Sequence, residues 1–284
     1  MRLAVIVTSY NSPATLELCL TSLAAQPEAA EIIVADCSPV DPATRLQIRF
    51  PAIRFLHFPA PRTVPELRWA ALRQTNCELV AAVEARCVPA SDWCRRLMEA
   101  HLAHPGAPAV GGPVALAPES SPIAAGLYCN EYGLFAHPAV SGSRGDLSGA
   151  NLSYKRADLE AQPELLNAGA WETRLHERWL AAGRTLWLAG GALVTFHNSM
   201  PLGVILRQRF HYGRGYAGAR SGPRLVRALL SPLLPAVLLV RTVRALGSRM
   251  PWRGFGWLLL FTTTWAAGEA VGYLFGPPER HEIF

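Results

Sequence analysis

The sequence has few charges and almost no lysine. Only 17% of its 284 residues are charged, and Lys155 is the single lysine among 27 basic residues. Half of the residues are hydrophobic. This composition excludes a disordered chain and a surface-rich helical repeat. The length is sufficient for one large α/β domain and a smaller appendage.

Acidic residues are missing from one long stretch. Between Arg178 and Gly268 the chain carries twelve arginines and neither aspartate nor glutamate, and the formal net charge of the whole chain is +6. A basic half of this kind points to phosphates, nucleic acid or an anionic membrane surface as a partner.

Cysteines with metal or redox spacing are also missing. The six cysteines form no CxxC pair, so the sequence favours neither a zinc site nor a redox motif. We expect them to be small core residues in a reducing compartment. A signal peptide is not expected either, because Arg2 is followed by only five apolar residues. The bulk of the chain should therefore stay in the cytosol.

The usual glycine-rich nucleotide motifs are absent, although the chain alternates strand and helix patterns. No GxGxxG follows the first strand, and no GxxxxGK[ST] occurs anywhere. Buried strands are predicted at 3–7, 31–35, 54–58 and 79–83, and amphipathic helices at 13–26 and 64–74. This order predicts a mostly parallel sheet with helices on both faces.

Charged side chains follow two of these strands directly. Glu84 and Arg86 end the 79–83 strand, where they would lie on one side and about 6–7 Å apart. Asp36 ends the 31–35 strand. Ligands of open α/β sheets bind just past the carboxyl ends of the strands, so we expect a site there. The alternatives are two solvated charges at a strand end and a turn-forming aspartate.

Three blocks in this order resemble the family 2 glycosyltransferases. They are VIVTSYN at 5–11, IIVADCS at 32–38 and VEAR at 83–86. The similarity continues to about residue 215, through GANLSYKR at 149–156, WET at 171–173 and QRF at 208–210. The resemblance implies the GT-A fold, which is an α/β domain that binds a nucleotide sugar.

The resemblance also implies roles for residues on the donor side. Thr8 and Tyr10 match the loop that holds the base, and Asp36 matches the acid near the uracil or ribose. Glu84 and Arg86 match the two ends of the DxD motif, which binds Mg²⁺ or Mn²⁺ on the donor diphosphate. His197 matches a histidine near the phosphates or the metal. A UDP-sugar is the expected donor.

Arg86 departs from the family pattern in a way that bears on the metal. A guanidinium carries a fixed positive charge and no acceptor, so it cannot bind a cation. Arg86 can pair with a phosphate instead, and Arg209 and Arg214 can close on the diphosphate leaving group. The sequence therefore predicts weaker metal dependence than two acids would give.

On the acceptor side the resemblance assigns Gly149 and Asn151 to a binding loop and Glu172 to the catalytic base. Thr173 replaces the second acid of the family's E-D pair, so Glu172 is the only acid left in the motif. A carboxylate can act as the base if it is hydrogen-bonded to the nucleophile. His176 and Glu177 are the alternatives for this role.

The C-terminal part is predicted to be a membrane-associated helical region. We divide the chain into a GT-A-like domain at 1–200 and a basic, apolar region at 201–284. The apolar stretch 228–240 is too short to span a bilayer of roughly 30 Å, whereas 255–276 is long enough but contains Glu269. Arginines and tryptophans flank both stretches. We favour a region lying in the cytoplasmic interface over a span, and a soluble helical hairpin is the alternative.

The resulting prediction is transfer of a sugar, with inversion, to a hydroxyl of a lipid-linked or polysaccharide acceptor in cell-envelope synthesis. Inversion is implied by the resemblance alone. No nucleic-acid partner is expected. Two alternatives remain: a nucleotidyltransferase, which would need an acid pair where Arg86 stands, and a non-catalytic relative that acts as a membrane-bound partner.

Overall fold

A computed structural model describes residues 1–167, 172–198, 200–218 and 223–277. The chain divides into two compact units. The first unit comprises residues 1–117 and 135–199, and the second comprises residues 118–134 and 200–284.

The strands belong to the first unit. In chain order they are β1 (Leu3–Ser9), β2 (Ala29–Asp36), β3 (Arg54–His57), β4 (Leu79–Glu84), β5 (Cys87–Pro89), β6 (Ala109–Gly111), β7 (Val114–Leu116), β8 (Gly142–Arg144), β9 (Asn151–Lys155), β10 (Leu186–Leu188) and β11 (Val194–Phe196). Eight of them form a sheet in the order β3-β2-β1-β4-β9-β6-β10-β8, and a smaller sheet has the order β5-β11-β7.

Helices pack on this sheet and build the second unit. In chain order they are α1 (Pro13–Ala24), α2 (Ala43–Leu46), α3 (Val64–Leu72), α4 (Trp93–Ala103), α5 (Pro122–Tyr132), α6 (Arg156–Glu160), α7 (Pro163–Asn167), α8 (Glu172–Ala181), α9 (Leu202–Gly218), α10 (Arg224–Leu230), α11 (Leu234–Leu246) and α12 (Phe255–Phe275). Helices α5 and α9 to α12 belong to the second unit.

The centre of the large sheet is parallel and buried. Strand β1 pairs in parallel with β2 and β4, and all seven of its residues are buried. A strand covered on both faces needs a continuous apolar run, which the sequence supplies. Strand β9 is antiparallel to β4, so Asn151 lies opposite Val83. The start of β9 and the ends of β1, β2 and β4 therefore share one edge of the sheet.

The chain crosses twice from the large sheet to the small sheet. It leaves the large sheet after Glu84 and enters the small sheet at Cys87. It makes the same change at Gly112, where a Cβ would lie 1.7 Å from the Ala192 carbonyl oxygen. Only glycine permits so close a backbone approach, and this residue separates β6 from β7.

Helix α4 begins at Trp93, after Asp92, and turns one face to the core. Leu97 is buried on this face, whereas Leu102 is exposed. The buried face also contains His101, which follows Leu97 at the helical spacing of four residues. All six cysteines are buried and free, as predicted.

The second unit is centred on the contact between α9 and α12. Gly268 lies against the Phe210 carbonyl oxygen, and Gly213 lies against that of Trp265. A Cβ at either glycine would lie 2.0–2.3 Å from these oxygens, so the helices touch through their backbones. Glu269 is buried, as expected for a residue facing protein, and accepts a hydrogen bond of 2.7 Å from the indole of Trp265.

The predicted domain at 1–200 contains the 118–134 segment, whereas the structure groups this segment with the second unit. Helix α5 packs on the beginning of α12, where a Cβ at Gly126 would clash with Trp257. Two helical segments of this unit, Arg224–Arg249 and Trp252–Phe275, are long and apolar enough to cross a membrane. Both are therefore candidates for membrane association.

Candidate active site

Asp36 holds together the loops that follow β1 and β2. It is 1% exposed. Its carboxylate accepts hydrogen bonds from the Ser38 amide and hydroxyl, at 2.8 and 2.7 Å, and His57 Nδ1 lies 3.3 Å away. The Ser38 hydroxyl accepts a further bond from the amide of Asn11. Asp36 is thus a loop-forming residue, and its contact with a nucleotide remains a prediction.

The end of β1 presents polar groups at the same edge. Thr8 lies opposite Glu84 and Ser9 lies opposite Asp36. Within the described ranges the buried hydroxyls of Thr8 and Ser9 have no hydrogen-bond partner. Tyr10 follows them in the turn before α1 and is half-buried. Thr8 and Tyr10 therefore lie at the same edge as Glu84 and Asp36, and their contact with a base stays a prediction.

Glu84 lies between two arginines. Its Oε2 is 3.5 Å from Arg86 Nη2, and its Oε1 is 4.0 Å from Arg68 Nη2. The side chain of Arg86 also lies over the Phe196 ring, with 5.5 Å between the guanidinium carbon and the ring centroid. The two ends of the DxD position thus pair with each other.

His197 lies beside this pair because β11 runs next to β5. Its backbone amide donates to the Arg86 carbonyl oxygen at 2.8 Å. The structure therefore places the backbone of His197 beside Arg86, and its predicted role near the phosphates or a metal stays a prediction.

Glu172 begins α8 and points into the same edge. Its Oε2 accepts a hydrogen bond of 3.0 Å from Arg68 Nη1, and Arg68 Nη2 donates to the Gly149 carbonyl oxygen at 2.6 Å. A Cβ at Gly149 would lie 1.9 Å from Glu172 Oε1. Gly149 thus makes room for the carboxylate. Trp171, the first residue of the matching motif, lies outside the described residues.

Asn151 requires a correction. It is fully buried, and its amide group accepts from the Trp93 indole and donates to the carbonyl oxygens of Pro113 and Ala192, each at 2.8 Å. These bonds use both donors of the amide. Asn151 therefore joins β9 to neighbouring loops and does not face an acceptor.

The alternative bases have other surroundings. His176 is 1% exposed, and its ring nitrogens face Asp146 Oδ1 and the Tyr154 hydroxyl. Burial raises the pKa of Tyr154 well above its usual value, with the Glu172 charge as a further cause. Glu177 is exposed and lies 3.9 Å from Arg174. Glu172 is thus better placed for proton transfer than either residue.

The two C-terminal arginines lie in the second unit. Arg209 is buried and pairs with Glu131 at 2.7 Å, and it also donates to the Asn130 side chain at 3.2 Å. Its charge is therefore paired in the interior of the second unit, and its predicted contact with a diphosphate stays a prediction. Arg214 is half-buried and donates to the Gly276 carbonyl oxygen at 3.1 Å.

The residues around Glu84 do not fit a divalent cation. Hard cations such as Mg²⁺ need several oxygen ligands. In the part of the chain that the structure describes, no three Asp, Glu, His or Cys side chains cluster to hold a metal. Glu84 is instead adjacent to two guanidinium groups. This set of side chains suits an anion with its own negative charge better than a bare cation.

The sequence reasoning missed Arg68. Helix α3 turns one face to the core, and this face includes Leu67, Ala71 and Leu72 as well as Arg68. An arginine at a core position of an amphipathic helix indicates a buried charge that needs acidic partners. This signal was available from the sequence, but the partners came from segments 16 and 104 residues away.

Comparison with known proteins supports the resemblance drawn from the motifs. Residues 4–135 match the family model described as glycosyl transferase family 2. The match includes Thr8, Tyr10, Asp36, Glu84 and Arg86. It confirms the family resemblance over these residues, and Glu172 lies beyond it. No curated protein matches the chain significantly.

A solved structure confirms the fold. The chain is similar to the mannosyltransferase PcManGT from Pyrobaculum calidifontis, which was solved in complex with GDP-Man and Mn²⁺. The TM-score is 0.58 at 18% sequence identity, and the alignment covers 94% of this chain and 86% of the other. The chain therefore has a GT-A-like α/β fold with a mostly parallel sheet flanked by helices.

Proposed function

We propose that the protein transfers a sugar from a nucleoside-diphosphate sugar to an acceptor hydroxyl. The observation that carries this proposal is the convergence of Glu84, Arg68 and Glu172 at the edge where β1 and β4 end. A carboxylate beside the predicted donor site is the group that such a transfer needs as its base.

In the proposed reaction Glu172 accepts the proton of the acceptor hydroxyl. The hydroxyl oxygen forms a bond to the anomeric carbon as the bond from that carbon to the diphosphate breaks. The nucleoside diphosphate leaves with the bonding electron pair. Because the hydroxyl attacks from the side opposite the leaving group, the anomeric centre is inverted. Arg86 is placed to neutralise the charge that develops on the leaving group.

The first test uses purified protein and a panel of nucleotide sugars, UDP- and GDP-sugars included. Transfer or hydrolysis of one donor is expected for the natural sequence. Glu172→Gln keeps the shape and removes the basicity, so turnover should fall by about 10²–10⁴-fold. Glu177→Gln is the matched control, because it changes an exposed glutamate of the same helix.

Two outcomes would count against this function. Near-normal turnover of the Glu172→Gln variant would move the base to another residue. Absence of transfer and hydrolysis with every donor would favour the non-catalytic partner, in which Glu84 and Arg86 merely neutralise each other.

We also propose that the second unit lies on an anionic membrane at the cytoplasmic face and that the acceptor is lipid-linked. Helices α10 and α11, together with the 3₁₀ turn Ser231–Leu233 that joins them, carry an exposed apolar stripe that contains Val226, Leu229, Leu233, Val237 and Val240. These residues recur at spacings of three and four, so they share one face. Arg241 and Arg244 adjoin its C-terminal end. Such a helix suits the boundary between headgroups and acyl chains.

Vesicle flotation tests this location. The protein should bind vesicles of phosphatidylcholine with phosphatidylglycerol more strongly than phosphatidylcholine alone. Replacing Leu229, Leu233 and Val237 by serine should weaken binding to both. Leu102→Ser is the control, since it changes an equally exposed leucine of the first unit. Protein that stays in solution with anionic vesicles would exclude this location.

A further inference from the structure

We propose that Arg68 is the positioning residue of the base. It fixes the Glu172 carboxylate against the Gly149 loop. This inference rests on the proposed function, and it adds a residue that lies within the family match but in none of the recognised motifs.

The position of Arg68 is enforced by its helix. It is 5% exposed, and its neighbours Leu67 and Leu72 anchor α3 in the core. The two terminal nitrogens of its planar guanidinium contact different segments of the chain. Nη1 donates to Glu172 Oε2, and Nη2 donates to the Gly149 carbonyl oxygen. One rigid side chain thus sets the distance between the start of α8 and the loop before β9.

The charges around Glu172 make Arg68 decisive. Arg68 is the one cationic partner of Glu172 among the ion pairs of the described residues. The other ionisable groups nearby are the Tyr154 phenol, Glu84 beyond the guanidinium, and the Asp146–His176 pair behind Tyr154. Among the ion pairs of the described residues, no second cation can therefore hold this carboxylate in place when Arg68 is replaced.

The arrangement also fixes which oxygen of Glu172 is left for the reaction. Arg68 binds Oε2, while Oε1 lies against Gly149, where no side chain intervenes. A carboxylate held by one oxygen can accept a proton on the other.

The test compares kcat and the donor KM of Arg68→Met and Arg68→Lys with those of the natural sequence. Arg68→Met should lower kcat by about 10²-fold and leave the donor KM nearly unchanged, because the base loses its fixed geometry. Arg68→Lys keeps the charge but cannot bridge both partners, so it should recover only part of kcat. Arg73→Met is the control, since Arg73 is exposed at the end of the same helix.

The outcomes separate this inference from the proposed function. If the natural sequence transfers sugar and Glu172→Gln does not, the function stands. An unchanged kcat in Arg68→Met would then overturn the role of Arg68. If Arg68→Met does not fold, the lysine variant decides the matter: a kcat equal to that of the natural sequence would show that the bridge to both partners is not needed and would overturn the inference. A raised donor KM with an unchanged kcat would assign Arg68 to donor binding instead.

Discussion

Among the described residues, each unit contains one buried arginine, and the two differ in what surrounds them. Arg68 links carboxylates of two separate segments to a loop carbonyl at a sheet edge. Arg209 faces Glu131 and Asn130 of a single helix and lies over the Tyr212 ring at 5.1 Å. Both side chains are 7% exposed, so burial does not distinguish them.

The difference lies in the chain positions of the partners. Arg209 joins α9 to α5, and its charge is neutralised by one carboxylate. This arrangement holds helices together. Arg68 lies between two carboxylates at the edge where parallel strands end, which is the part of such sheets that binds ligands. A buried arginine therefore indicates function only when its partners converge on a site.

The largest expected effect is on stability, from breaking the Arg209 pair. Arg209→Met leaves Glu131 buried without its cation, which should cost about 3–5 kcal/mol. Hydrogen exchange of α5 and α9 should rise, while the first unit keeps its protection. The double variant Arg209→Met with Glu131→Leu removes both charges and should recover most of the loss. A double variant no more stable than the single would contradict the closed-pair interpretation.

The next largest effect is expected on turnover, when a substitution fills the space beside the Glu172 carboxylate. Gly149→Ala places a methyl group 1.9 Å from Oε1 in the present geometry, so the carboxylate must move. A displacement of about 1 Å should lower kcat by about 10²-fold. Gly106→Ala is the control, because no atom lies within 4 Å of its Cβ. Normal turnover of Gly149→Ala would remove the carboxylate position from the mechanism.

A smaller effect is expected on donor binding, from Asp36. Asp36→Ala should weaken UDP binding by calorimetry by roughly tenfold, about 1.4 kcal/mol, because the Ser38 and Asn11 loops lose their anchor. Ser38→Ala separates the two explanations. If it weakens binding equally, Asp36 acts through the loop; if binding is unchanged, Asp36 contacts the nucleotide. Unchanged affinity in both variants would remove Asp36 from the donor site.

The smallest effect is expected from metal removal. Because guanidinium groups flank Glu84, EDTA should lower turnover by no more than about tenfold. Complete loss in EDTA, restored by Mn²⁺ and not by Ca²⁺, would show that the ion pair opens to admit a metal. The same titration on Arg86→Asp should show stronger metal dependence, since that change restores a second acid.

The sequence predicted the features that depend on local patterns. Apolar runs placed β1, β2 and β4, and the residues at their ends marked the edge where Asp36 and Glu84 lie. Helix α8 and its first-turn Glu172 were also found, since both follow from periodicity and motif. The six cysteines were correctly placed in the core.

Features that depend on distant contacts were not predictable in this way. Asn151 matches an acceptor-loop motif, yet its hydrogen bonds reach Trp93 and Ala192. Arg209 stands in a basic stretch that suggests phosphate binding, yet its partner is 78 residues earlier in the chain. Single-sequence patterns record what a residue can do, whereas the fold decides which of its possible partners is near.

The glycine contact between α9 and α12 has a consequence for the membrane location proposed above. Helices that meet through their backbones are held by close van der Waals contact, which remains in lipid where the hydrophobic effect between helices disappears. Gly213 and Gly268 provide such a contact. The pair can therefore keep one geometry whether water or acyl chains cover its outer faces. Moving between the two solvents would require no repacking of the unit's interior.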